Sequence, residues 1–333
     1  GKLSGKDIET LQAGHRVDPD PRKHNALDFI LWKPAKPGEP SWDSPWGPGR
    51  PGWHIECSAM NHSIHGDQID IHGGGIDLTF PHHENEIAQS EALTGKQFAK
   101  YWMHNNFINF GDEKMSKSLG NVVKARDFME QYHPEVLKFM MLNVHYRSPL
   151  NLGKEQIHQA IAGLDRIYSA IRNADVILEG QPECQEDKSF TDQLKQADKT
   201  IEDALNDDFN TSVLMATIFD VVRVFNADVK PGKKVTPPYA GKAKQFKDWL
   251  KKYADITAMF QEPAGEFCDA LNQILIKEHN INVEEVNSLI AQRNAARANK
   301  DFQAADQIRD QLAGMGILVN DLAGETRWEV KKT

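Results

Sequence analysis

Two groups of side chains in this sequence have types and spacings suited to chemistry. The first is Lys114-Met115-Ser116-Lys117-Ser118, two cations and two hydroxyls within five residues, followed by Gly120-Asn121. Such a loop suits a polyphosphate, because ammonium and hydroxyl donors converge on it and the glycine lets backbone amides approach. Fixed cations matter most where charge builds in a transition state, and losing one such donor costs on the order of 3 kcal/mol. Lys117 is expected to contribute most, with Lys114 beside it. Short lysine–serine mixtures are more often solvated turns, so composition alone does not distinguish this loop from one.

The second group is Cys57, which follows Trp53-His54-Ile55-Glu56, together with Pro81-His82-His83-Glu84-Asn85-Glu86 downstream. Cysteine, histidine and glutamate are all zinc ligands. His82 and Glu86 are four apart, so on a helix they share a face and can reach one ion, while His83 and Glu84 point elsewhere. Histidine clusters also cap helices or satisfy buried hydrogen bonds, and an isolated His-Xaa-Xaa-Xaa-Glu does so more often than it binds metal.

The elements that must position these groups follow from periodicity. Between Gln68 and Phe80 an alternating run, Ile69 and Ile71, ends in Gly73-Gly74-Gly75, and a helical pattern runs from His83 to about Ala92. Trp102 to Phe110 reads as a second strand, followed by the lysine–serine loop and helical periodicity from Ala125 to Leu142. Repeated strand–loop–helix units predict an α/β domain with a Rossmann-like parallel sheet. Upstream, Asp18 to Trp53 is broken by prolines into loops or short strands, and Trp32, Trp42, Trp46 and Trp53 argue against disorder. Packing is the expected role of the first three of these. After Pro149 the pattern is all-helical, over Glu155–Leu178, Thr191–Leu205, Ser212–Phe225, Tyr239–Met259 and Val283–Met315.

A chain of 333 residues favours two or three domains. No apolar run is long enough to cross a bilayer, and three scattered cysteines give no disulfide framework, so a reducing, cytoplasmic setting is expected. The net charge of -9 disfavours indiscriminate nucleic-acid binding, which depends on Lys and Arg at phosphates. The start at Gly1, within a polar segment, reads as that of a fragment.

Lys114–Ser118, lying after a strand and before a helix, resembles the second signature of class I aminoacyl-tRNA synthetases, whose loop closes on ATP and stabilises departing pyrophosphate. The stretch from Gly52-Trp53-His54-Ile55-Glu56-Cys57 through His72-Gly73-Gly74-Gly75 and Asp77 to Gln89 resembles cysteinyl-tRNA synthetase closely, and the resemblance covers nearly the whole chain. Carried over residue by residue, Cys57, His82 and Glu86 match that family's zinc ligands, with the substrate cysteine bound to zinc as thiolate. The resemblance further implies ATP with Mg2+ as substrate, His72 and Gly74 on the ATP side with Lys114–Ser118, Trp53 walling the amino-acid pocket, and Asp77 pairing with the substrate ammonium or a ribose hydroxyl. For Asp77, helix capping is the competing role.

His145-Tyr146-Arg147-Ser148 resembles the family's segment leading to the stem-contact region, and Ala204–Thr211 its anticodon-side helical domain, where Asp207 and Asp208 are expected to cap a helix. The tail resembles the domain that reads the anticodon, with Arg297, Asp306 and Asp321 as tRNA-binding candidates or, equally, ordinary surface charges. Four segments are thus expected: 1–55 a remainder of a connective insertion, 56–150 the second half of the catalytic domain, 151–262 a helical bundle, and 263–333 an anticodon-recognition domain. The implied activity is cysteine–tRNA ligation, by a monomer with tRNA(Cys), L-cysteine and ATP as partners and no membrane.

The family's fourth zinc ligand, an earlier cysteine, and its first ATP signature have no match here, so the chain alone is expected not to form cysteinyl-adenylate efficiently. The competing readings are a related ligase joining cysteine to an amino sugar, which lacks the anticodon-reading tail, a catalytically silent tRNA-binding fragment, and, more remotely, a zinc hydrolase.

Overall fold

The structure is a computed structural model that describes residues 1–7, 23–25, 27–110, 113–114, 124–229, 234–322 and 325–332. It divides into two compact units, Gly1–Phe107 and Ile108–Thr333.

In the first unit the alternating run forms β3 (Ile69–Gly75), paired in parallel with β4 (Ala99–Asn105) in the register Ile69↔Ala99, His72↔Trp102 and Gly74↔His104. Parallel neighbours need a crossover. Helix α2 (Glu84–Thr94) supplies it, entered through a tight turn at Ile76–Leu78 and a kinked one at Thr79–His83, where Phe80 is extended. Helix α1 (Trp53–His65) packs on α2. Among the described residues the core here is small: Ile69, Ile87, Phe98 and Ala99, with Leu3 and Trp102 against them. Upstream, β1 (Trp32–Pro34) and β2 (Gly49–Pro51) form an antiparallel pair. Trp42 and Trp46 in its connection are 58% and 79% exposed, so the expected packing does not hold for them: two three-residue strands offer no layer to bury them.

The second strand of the sequence reading divides in two, because Asn106-Phe107 interrupts it: β4 ends at Asn105, and β5 (Ile108–Phe110) belongs to the second unit. There β5 lies between β6 (Glu113–Lys114), antiparallel, and β7 (Leu150–Asn151), parallel. Helices α3 (Ala125–Met129) and α4 (Pro134–Leu142) lead into α5 (Lys154–Leu178), whose buried stripe Ile161, Leu164, Ile167 and Tyr168 is the centre of the large core. Around it pack α6 (Lys188–Asn206), α7 (Thr211–Asp228), α8 (Pro237–Thr257) and α9 (Ala264–Glu278), with Tyr168 stacked on Phe267 at 3.7 Å and Phe225 on Phe246 at 4.3 Å. The α/β class with a helical second part is what periodicity predicted.

Three expectations are corrected. The single helix over Val283–Met315 is two, α10 (Val283–Ala298) and α11 (Phe302–Gly314): Lys300 is left-handed (φ 62°) and Asp301 caps α11 by accepting from the Ala304 N–H at 3.1 Å. The part after Pro149 is also not all-helical, since β8 (Ile317–Leu322) and β9 (Glu325–Val330) close an antiparallel hairpin. Asp207 and Asp208 do not cap α7 either. Asn210 does, accepting from Val213 N–H, while Asp208 accepts from Tyr146 Oη at 2.6 Å and from Arg147.

Candidate metal centre and substrate site

Helix α1 starts where Gly52 passes against the preceding chain, since a Cβ there would lie 2.2 Å from the Ile30 carbonyl oxygen. From its first turns come Trp53, His54 and Cys57; the entry to α2 presents His82 and Glu86; β3 brings His72 and β4 brings His104. The thiol of Cys57, a ring nitrogen of His82 and a carboxylate oxygen of Glu86 all lie within 4.8 Å of one another. The helical i, i+4 spacing works as expected, although His82 sits in the kinked turn rather than in α2 itself.

Glu86 is fully buried and binds two histidines, His72 Nε2 at 2.6 Å from Oε2 and His82 Nε2 at 2.7 Å from Oε1. The second contact lacks hydrogen-bond geometry, and Oε1 is a buried oxygen without a hydrogen-bond donor. The His82 nitrogen and this oxygen therefore stand close together without a hydrogen bond between them. With a thiol beside them, the donor set is sulfur, nitrogen and oxygen, and it fits a zinc ion.

Further rings fix His82. Its Nδ1 lies 2.7 Å from His54 Nδ1, so one of the two carries the proton, and Trp53 stacks on it at 4.2 Å. Donation from His82 Nδ1 to His54 leaves the His82 Nε2 lone pair for an ion, the usual outer-partner arrangement of a metal-bound histidine. Burial lowers the pKa of both His82 and His54, which keeps them neutral. Burial, then the carboxylates of Glu86 and Glu56, raises that of the Cys57 thiol.

His83 binds His104 (Nδ1 to Nε2, 2.8 Å) while a ring nitrogen of it also lies within 4.8 Å of His72 and Glu86, a second grouping of ligand-capable atoms around the same carboxylate, and burial pushes its pKa down to about 3. Glu84 accepts from the backbone N–H of Leu3 at 2.8 Å and of Ser4 at 2.6 Å. His72, besides binding Glu86, stacks on Trp102 at 4.6 Å. Gly74 is needed for close approach: a Cβ there would stand 2.8 Å from the His83 ring. Asp77 is exposed in the turn after β3 and makes no capping hydrogen bond. Of the phosphate loop, Lys114 lies in β6 opposite Asn109, and Met115, Ser116, Lys117 and Ser118 lie outside the described residues.

In the second unit Arg297 (α10) and Asp321 (β8) meet at 2.7 Å, and Asp306 is exposed on α11. Sequence reading missed Arg293, which binds the same Asp321; its spacing of four from Arg297 was the available signal. It also missed His54 and the His72–Glu86 contact, which join separate elements. A further group, His158, Glu278 and His279, comes together on α5 and the end of α9, but Lys154 at 2.9 Å and His158 at 2.9 Å already bind the two Glu278 oxygens, so it is an ion-paired joint.

Comparison with known proteins gives this geometry a family. The model for the tRNA synthetases class I (C) catalytic domain matches residues 1–162, the DALR domain residues 200–261, and the cysteinyl-tRNA ligase anticodon binding domain residues 283–328. The fold is thus that of a class I aminoacyl-tRNA synthetase. The cysteine–tRNA ligase of Bdellovibrio bacteriovorus is 52% identical over 333 residues, all of this chain and 69% of the relative. Those of Geotalea uraniireducens and Pelobacter propionicus are 45% and 44% identical, each over 99% of this chain and 69% of the relative. The chain belongs to the cysteine–tRNA ligase family, a family of ATP-dependent aminoacyl-tRNA ligases. No helix among the described residues is long and apolar enough to cross a membrane.

Proposed function

We propose that this protein activates L-cysteine with ATP to cysteinyl-adenylate and passes the cysteinyl group to the 3′ end of tRNA(Cys), with Cys57, His82 and Glu86 holding zinc. The observation that carries the reading is that the ligand atoms of those three residues lie within 4.8 Å of one another, beside a Glu86 Oε1 that is buried without a hydrogen-bond partner. Zinc bound there would take the substrate thiol as thiolate and so reject serine, whose hydroxyl is a poor ligand. An apolar pocket separates single small groups by only about 1–3 kcal/mol, so ligation of sulfur supplies selectivity that packing cannot.

The chain's own residues do the rest. Trp53 walls the amino-acid pocket and holds His82 flat against its ring at 4.2 Å. Asp77, on the surface after β3, receives the substrate ammonium or a ribose hydroxyl. Attack of the cysteine carboxylate on the α-phosphate breaks the bond to pyrophosphate, whose growing charge Lys114 and Lys117 stabilise, with Met115, Ser116, Ser118, His72 and Gly74 completing the ATP site around Mg2+-ATP. Arg297, Asp306 and Asp321 face the anticodon. Residues 1–55, 56–150, 151–262 and 263–333 act as connective insertion, catalytic half with stem contact, helical bundle and anticodon reader, in a cytoplasmic monomer. The match to an anticodon binding domain over residues 283–328 favours tRNA over an amino sugar as acceptor.

Charging of tRNA(Cys) with cysteine by the full-length protein tests this, alongside Lys117→Ala. Loss of one transition-state cation of this kind should slow charging by about 100-fold or more. Unchanged charging in the variant would remove the loop from the mechanism, and absence of charging by the unaltered protein would sink the reading.

A further inference from the structure

Arg293 lies one helical turn before Arg297 on α10, so both side chains leave the helix on the face toward the β8–β9 hairpin. They share one carboxylate unequally. Arg293 donates from Nη1 to Asp321 Oδ1 at 2.9 Å and from Nη2 to Oδ2 at 2.8 Å, a closed fork. Arg297 makes a single contact, Nη1 to Oδ2 at 2.7 Å. Thr326, opposite Asp321 in the hairpin register, has its hydroxyl 3.1 Å from Asn294 Oδ1 and 3.3 Å from Asp321 Oδ1. Burial is unequal too, with the Arg293 side chain 7% exposed and that of Arg297 44%.

We infer that Arg293 is a positioning residue for RNA recognition: by occupying the fork of Asp321 it prevents Arg297 from closing on that carboxylate and keeps Arg297 turned outward for a nucleobase edge. Arginine and carboxylate prefer the two-bond, planar arrangement. Without Arg293, Asp321 offers both oxygens to Arg297, whose donor edge is then spent inside the protein. A carboxylate has about four lone-pair directions. Arg293 takes two of them in hydrogen bonds and the Arg297 guanidinium stands in an ion pair against Oδ2, so Asp321 organises both arginines. The arrangement borders a cleft of about 560 Å³ that Arg172, Arg309, Arg327 and Trp328 also line, with Asp269 and Glu329 among them, a polar surface of mixed charge that carries several guanidinium groups and an indole. Bases stack on aromatic rings and guanidinium planes, and their edges take paired donors, so this surface suits a splayed single-stranded loop.

The inference rests on residues 283–328 binding the anticodon, and one titration separates the two. Fluorescence anisotropy of the full chain is measured with the anticodon stem–loop RNA of tRNA(Cys) and with loops that each carry one changed anticodon base. Arg293→Lys keeps the charge but cannot form the fork, and it should weaken the cognate loop by on the order of 10-fold while narrowing its preference over the altered loops. A purely structural role would lower the melting temperature and weaken every loop in proportion, leaving the preference intact; that result overturns the inference. So does an Arg293→Lys protein that discriminates like the original. If the unaltered chain fails to distinguish the loops, the anticodon-binding reading fails and takes the inference with it. Arg293→Gln, with one donor group and no charge, gives the same comparison should the lysine destabilise α10.

Discussion

Glu86 holds His72 through Oε2 at 2.6 Å and stands 2.7 Å from His82 through Oε1, with no exposure to solvent. A buried carboxylate with one oxygen lacking a hydrogen bond is costly unless a cation completes it. Glu86→Gln keeps the shape and removes the charge, and it should lower zinc affinity by at least about 10-fold, in the range seen when a metal's supporting groups are removed. Competition against a chromophoric chelator measures this, and unaltered affinity would exclude Glu86 as a ligand. Much of this centre was legible in the residues: a cysteine, and a histidine and glutamate four apart, carry their chemistry in their types. His54 was not, because its partner His82 is 28 positions away and only the packing of α1 on the turn before α2 brings the two Nδ1 atoms to 2.7 Å. Arg293 escaped for the same reason, the partner of its buried side chain, Asp321, being 28 positions downstream on a strand.

Elements were read well where one periodicity ran unbroken and poorly where a short break changed its direction. The pattern over Glu155–Leu178 gave α5 almost to the residue, because its buried stripe is continuous. The stretch from Val283 to Met315 kept helical periodicity on both sides of Asn299-Lys300-Asp301, and a break of three residues leaves little trace in such a pattern. What ends α10 is a left-handed Lys300, and what starts α11 is the Asp301 carboxylate accepting from Ala304 N–H. Asp301→Ala should therefore cost about 1 kcal/mol through loss of the cap. Chemical denaturation would show it as a lower midpoint with an unchanged slope, and an unshifted midpoint would mean that packing alone sets the helix start. The β8–β9 hairpin was missed because its inward residues, Ile317 and Val330 among them, are covered by the helical core rather than forming a sheet core of their own.

The whole molecule places its apolar material unevenly, and that bears on what a zinc ion held at the candidate centre would do to it. Among the described residues the core of the second unit runs from α3 through the β8–β9 hairpin, with Ile161, Leu164 and Phe246 fully buried, whereas that of the first unit rests on Ile69, Ile87, Phe98 and Ala99. The candidate metal ligands all lie in the unit with the smaller core, on α1 and at the entry to α2. An ion that binds the folded form stabilises it by about 2.7 kcal/mol when present at about 100 times its dissociation constant. A segment with little apolar burial has low local stability and opens first, so the same increment changes its opening most. Zinc added to metal-free protein should accordingly slow amide hydrogen exchange in 53–65 and 84–94 on the order of 100-fold, with far smaller changes in 154–178. Mass spectrometry of peptides from those segments reads both. Equal protection across both units would show that the ion acts on the chain as one cooperative body, and absence of protection around Cys57 would place the metal elsewhere.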